Sequence, residues 1–110
     1  MQLNGFKYDE FFVVKVNGRM DAVSAPEFEK SCLEWIQQGE SAFIVDLGGL
    51  EYMSSAGLRS ILVVGKKLKA AGGNISFASL MPDVAHLFSI SGFGAMFPVH
   101  ESLDKAFGRA

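Results

Sequence analysis

The chain has 110 residues, 49% apolar and 20% charged, and its 10 Lys and Arg against 12 Asp and Glu leave a net charge of −2. That size suits one domain, 1–110, because domains commonly run to about 100–150 residues. The basic residues are scattered apart from Lys66, Lys67 and Lys69, so the basic stripe that marks nucleic-acid binders is missing.

One cysteine, Cys32, excludes an internal disulfide. It falls within a helical apolar pattern and reads as a buried thiol, natural to a reducing cytoplasm. The first residues, Met1-Gln2-Leu3-Asn4-Gly5, lack the basic start and apolar centre of a leader. No apolar run approaches the ~20 residues that span a bilayer. A soluble cytoplasmic protein without a membrane partner is expected.

Leu3 to Tyr8 alternates weakly, and after Asp9-Glu10 comes the strongly β-prone Phe11-Phe12-Val13-Val14-Lys15-Val16; the two read as a hairpin with the first strand at an edge. Beyond Gly18 the chain leaves the strand and enters a helix near Ser24, with Pro26 in its first turn. Ala25, Phe28, Cys32, Trp35 and Ile36 give that helix an apolar face, and Gly39 ends it.

Ala42 to Leu47 is apolar except for Asp46, as in a strand buried on both faces at the centre of a sheet. Asp46 itself reads as a carboxylate that accepts backbone hydrogen bonds. From Ser55 a helix runs through Leu58, Ile61, Leu62, Gly65 and Leu68 to Ala71-Gly72-Gly73. Asn74 to Ala78 is a strand, Pro82 and Asp83 open a short helix with Val84, Leu87 and Phe88 inward, and Gly92 closes it. Met96 to His100 is the last strand. Leu103, Ala106 and Phe107 imply a final helix that packs its Leu and Phe onto the sheet. The order ββαβαβαβα predicts an α/β fold with a mostly parallel sheet and one antiparallel edge strand.

Catalytic and metal motifs are not found. A serine nucleophile elbow is G-x-S-x-G, and the glycine upstream of Ser54 or Ser55 is missing. His86 and His100 are the only candidate bases, and with Cys32 they lack metal-ligand spacing. Gly65-Lys66-Lys67 lies inside a helix and is no phosphate loop, and Gly92-Phe93-Gly94 has no third glycine. No cofactor, metal site or enzymatic activity is expected.

What stands out is Tyr52-Met53-Ser54-Ser55-Ala56-Gly57-Leu58, where a strand leads into two serines that open a helix. Unpaired N–H groups and the positive end of the helix dipole favour a phosphate on a hydroxyl placed there. This segment resembles the STAS domain family and, within it, the small bacterial anti-sigma factor antagonists. Val16-Asn17-Gly18-Arg19-Met20-Asp21 is similar to the family's strand ending in G-x-[LM]-D, Ile44-Val45-Asp46-Leu47 to its central strand, and Leu87-Phe88-Ser89-Ile90-Ser91-Gly92-Phe93 to its L-F-x-x-x-G-[LF] segment.

The resemblance implies a partner switch. Ser55 maps onto the serine phosphorylated by an anti-sigma factor that is itself a serine kinase with a histidine-kinase-like ATPase fold, and a metal-dependent serine phosphatase reverses the step. Ser54 stands where many members carry aspartate and is the alternative acceptor. Asp21, Met53, Ser54, Ser55, Ala56 and Gly57 are the expected partner-binding residues, with Asp21 near Ser55 at the strand ends. Asp21 also reads as a turn or cap acid, Met53 as a core residue, and Gly57 as a position where a side chain would block close packing. A constitutive interaction domain without a switch, and a sensor of nucleotides or small ligands, are the competing readings.

Overall fold

A computed structural model describes residues 1–109, and Ala110 lies outside them. Five strands, β1 (Gln2–Tyr8), β2 (Phe11–Met20), β3 (Ala42–Met53), β4 (Asn74–Ala78) and β5 (Val99–His100), form one sheet in the order β1-β2-β3-β4-β5. β1 and β2 pair antiparallel, and all later neighbours are parallel. Helices α1 (Ala25–Gln37), α2 (Ser55–Ala70), α3 (Pro82–Ser91) and α4 (Phe93–Met96) lie in the crossovers, and α5 (Leu103–Ala106) follows β5.

Each crossover advances the chain by one strand in the same direction, so right-handed connections place α1 to α4 on one face. Alternation along the strands supplies the other half of that core. Phe12, Val14 and Val16 of β2 and Phe43, Val45 and Leu47 of β3 meet Phe28 and Cys32 of α1, Ile61, Val64 and Leu68 of α2, and Val84 and Phe88 of α3. Ser60 is buried among them, and its hydroxyl donates to the Ala25 carbonyl at 3.2 Å, tying the start of α1 to α2.

Val13 and Ile44, on the opposite face, are also fully buried, which explains the unbroken apolar runs of β2 and β3. Of the expected C-terminal packing, the Phe107 contact is present. Phe107, one residue past α5, brings its ring to 4.5 Å from Tyr8 and 5.6 Å from Phe11.

Two boundaries depart from expectation. β2 continues to Met20 and β3 to Met53, carried by parallel pairing that shifts register twice, once between Lys15 and Asn17 and once between Gly18 and Arg19. In each shift β3 holds an extra residue, and the side chain of Asn17 fills the space that a Cβ on Gly49 would need. The bulges thus let a glycine-containing segment remain a strand.

The second departure is at the last strand, which has two residues rather than the expected Met96 to His100. Gly92, at φ +83°, ends α3 and lets the chain turn into α4. Phe93 and Phe97 then stack edge-on into Phe88 and Phe77, with ring centroids 5.6–5.8 Å apart. Burying these rings outweighs the strand propensity of the segment, and β-pairing resumes only past Pro98.

Among the described residues no helix is long and apolar enough to cross a membrane. Burial pushes the Cys32 thiol up to about 12, which suppresses the reactive thiolate. A thiol reagent such as Ellman's should therefore leave Cys32 unmodified in the native protein and label it fully in denaturant; rapid native labelling would contradict this packing.

Candidate functional site

The pairing of β2 with β3 runs out at Met20 and Met53, and the Ser54 N–H then donates to the Met20 carbonyl at 2.9 Å. This bond sets the turn of residues 21–24 beside the start of α2, at the carboxyl ends of the parallel strands, where open α/β sheets commonly place binding sites. The first turn of α2 carries no acid.

The two serines have different roles. Ser54, with extended backbone (φ −91°, ψ 175°), is the N-cap of α2, and its hydroxyl accepts from the Gly57 N–H at 3.4 Å. Its carbonyl accepts from Leu58 N at 3.2 Å. Ser55 is the first helical residue, is exposed, and its hydroxyl makes no hydrogen bond among the described residues. Ser54 is thus committed to the helix terminus, while Ser55 presents a free hydroxyl over the same N–H groups.

Asp21 organises the neighbouring turn. Its Oδ1 accepts from the N–H groups of Val23 and Ser24, each at 3.0 Å, and lies 3.1 Å from the Ser24 hydroxyl. The Ser24 hydroxyl in turn accepts from Asp21 N at 2.9 Å and sits 3.0 Å from the Arg19 carbonyl. The Ser24 backbone N–H, followed by its hydroxyl, holds the Asp21 carboxyl below its ordinary range. The turn-acid reading of Asp21 is what the hydrogen bonds display. Ser24 makes no side-chain cap to α1, and the Ala25 N–H is taken instead by the Asp21 main-chain carbonyl at 2.8 Å.

Two of the expected partner contacts lie beneath the surface. Met53 is only 5% exposed and belongs to the core. Gly57 is buried, and a Cβ there would stand 2.8 Å from Met53 Cγ and 3.1 Å from Met20 Sδ. These residues seat the helix from below, as strand alternation dictates once β3 continues to Met53. Ala56 is half-buried.

The exposed side chains at this pole are others. Val23 is 88% exposed in the Asp21 turn, and Ile90 on α3 is 68% exposed. Tyr52 points outward with the Arg19 guanidinium 4.2 Å above its ring. A groove of about 300 Å³ runs between Tyr52 and α3, lined by Met53, Val84, Leu87 and Ile90, with Asp83 and His86 at its polar side. No local sequence signal puts Tyr52 outside and Met53 inside, because the two register shifts that decide it arise only in the pairing with β2.

Asp46 accepts from Gly48 N at 2.9 Å and lies 3.9 Å from Lys15 Nζ, the expected backbone role. No group of three or more His, Cys, Asp or Glu is gathered to hold a metal among the described residues.

Residues 6–106 match the family model of the STAS domain. The chain belongs to the STAS domain family. One relative is BtrV of Bordetella bronchiseptica, whose name assigns it as an anti-sigma factor antagonist; it is 36% identical over 96% of this chain and 91% of its own length. The anti-sigma-B factor antagonist of Staphylococcus epidermidis is 27% identical over 94% of this chain and 96% of its own. Among solved structures, an anti-sigma factor antagonist from Mycobacterium paratuberculosis superposes with a TM-score of 0.89 at 24% identity, covering 97% of this chain and 91% of that one. SpoIIAA in its unphosphorylated form gives 0.84 at 20% identity over 96% and 93%, and its phosphorylated form from Bacillus gives 0.77 at 20% over 97% of each. The fold of this STAS domain is that of these structures.

Ser54→Ala in this STAS domain should cost about 1 kcal/mol in denaturant unfolding through loss of the cap, whereas Ser55→Ala should change stability by less than about 0.5 kcal/mol. Equal losses would contradict the division between the serines.

The acid dependence of Asp21 follows from its lowered pKa. A carboxyl depressed in the folded state contributes stability above its unfolded pKa, and that contribution is lost as pH falls through the folded value. Asp21→Asn should therefore be less stable than wild type near neutral pH, with the gap closing below about pH 4. A gap independent of pH would assign the effect to hydrogen bonding alone.

Proposed function

We propose that this STAS domain is an anti-sigma factor antagonist whose binding to an anti-sigma serine kinase is ended by phosphorylation of Ser55. The observation that carries the reading is the free, exposed hydroxyl of Ser55 at an acid-free helix N-terminus, beside a Ser54 already occupied as the cap. The names of BtrV and the staphylococcal relative support the antagonist role. The existence of SpoIIAA in unphosphorylated and phosphorylated forms supports a switch by phosphate.

A phosphate at Ser55 adds about −1.5 to −2 charges and strong acceptor oxygens where the helix dipole and unpaired N–H groups favour them. The fold survives because the cap, the core beneath and the Asp21 turn do not use that hydroxyl. Binding is lost at the partner's surface, where a dianion meets desolvation and repulsion. A penalty of ~2–4 kcal/mol lowers affinity ~30- to 1000-fold. Ser55 is the substrate of this transfer. The kinase supplies nucleotide, Mg²⁺ and proton acceptor, and a metal-dependent serine phosphatase restores the hydroxyl.

Affinity purification from the native host with wild-type, Ser55→Ala and Ser55→Glu baits tests the reading. The expected result is a histidine-kinase-like ATPase retained by wild type and Ser55→Ala and lost with Ser55→Glu, together with phosphate on Ser55 in a fraction of the cellular protein. Equal retention by all three would instead favour a constitutive interaction domain.

A further inference from the structure

Val23 and Ile90 are the two most exposed large apolar side chains among the described residues, at 88% and 68%. They come from different elements, yet both lie at the pole that carries Ser55. Val23 sits in the turn fastened to the α2 start through the bond from Ser54 N to Met20 O. Ile90 lines the groove whose opposite wall is Tyr52 and whose floor includes Met53, the side chain packed under Gly57.

On the Tyr52 wall of that groove, Arg19 lies over the Tyr52 ring; it forms no ion pair within 4.0 Å among the described residues, although the Asp21 carboxylate is near enough to feel its charge. A stacked guanidinium keeps its N–H edge open for a planar, bidentate partner. Tyr and Arg are residue types enriched in binding hot spots, and side chains as exposed and apolar as Val23 and Ile90 on the same pole give the pair an apolar margin.

We infer that Val23 and Ile90 are the two apolar anchors of the anti-sigma partner's docking surface, with the Arg19–Tyr52 pair at the groove wall receiving a carboxylate from that partner. The inference rests on the reading that the Ser55 pole is where the partner binds, and it extends the footprint from the serine motif onto the Asp21 turn and α3. The assignment to this partner follows from continuity of the groove with Tyr52 and Met53, the residues that lead into Ser55, and from an Arg19 guanidinium that forms no ion pair within 4.0 Å among the described residues. A footprint that includes Ser55 would also strengthen a phosphate switch, because the dianion would be desolvated by the same contact.

The test uses the anti-sigma ATPase recovered with wild type, purified and titrated against the full chain. Val23→Asp and Ile90→Asp should each weaken binding by ~30-fold or more, and Arg19→Glu by ~10-fold or more. Met96→Asp, at a methionine that is 56% exposed beside Gly65 and Lys69 and far from Ser55, should stay within about twofold of wild type. Thermal melts of each variant confirm folding.

Wild-type affinity in both aspartate variants overturns the anchors while leaving the loss with Ser55→Glu intact. Loss with the anchors but none with Ser55→Glu keeps the footprint and removes the phosphoserine switch. A dimer of the chain alone that dissociates in Ile90→Asp would assign the patch to a second copy and overturn the inference. Recovery of no ATPase by wild type overturns it together with the reading on which it rests.

Discussion

Everything at the candidate site depends on how far the parallel ladder between β2 and β3 extends. Had it ended at Val16 and Leu47, the Asp21 turn and the serine motif would be independent loops. It continues to Met20 and Met53 through two bulges, and the bond from Ser54 N to Met20 O closes the series. Backbone pairing therefore supplies the rigidity, and the loop residues inherit it. This is the usual logic of α/β folds, in which the scaffold fixes the strand ends and chemistry occupies the turns beyond them.

Beneath the helix start, Met20 and Met53 act as an adaptable seat. Unbranched thioether side chains fill irregular space, and the absence of a side chain at Gly57 lets the helix settle onto them at van der Waals distance. Above, the hydrogen-bonding capacity of the terminus is shared between Ser54, which satisfies one backbone donor, and the open position over Ser55. A site arranged this way could take on charge at Ser55 without repacking, since the Ser55 hydroxyl makes no hydrogen bond to the residues beneath it.

Much of this was legible in the sequence. The Ala25-Phe28-Cys32 face, the stop at Gly39, the acceptor role of Asp46 and the helix from Ser55 all follow from local periodicity and capping chemistry, and the structure has them as expected. What escaped was set by pairing at a distance. Met53 and Tyr52 cannot be assigned to inside and outside without knowing the bulges in β3, which exist only in relation to β2. Met96 left its expected strand because Phe97 found a ring partner in Phe77, twenty residues earlier, while Phe93 stacked on Phe88 and Phe97. The prominence of Val23 and Ile90 is similarly invisible locally: each is one apolar residue in a mixed segment, and only the fold leaves both uncovered.

The tail beyond α5 has a further consequence. Arg109 donates to the Tyr8 hydroxyl and lies 5.0 Å from that ring and 4.9 Å from Phe107, beside the hairpin turn where β2 begins. The pole that carries Ser55 is where β2 ends, nine residues later, a span of about 30 Å along a strand. Any polypeptide joined after this point would depart from the antipode of Ser55, so a fused neighbour, a tether or a purification handle placed there would hold the domain by its back and leave the serine-bearing side unobstructed.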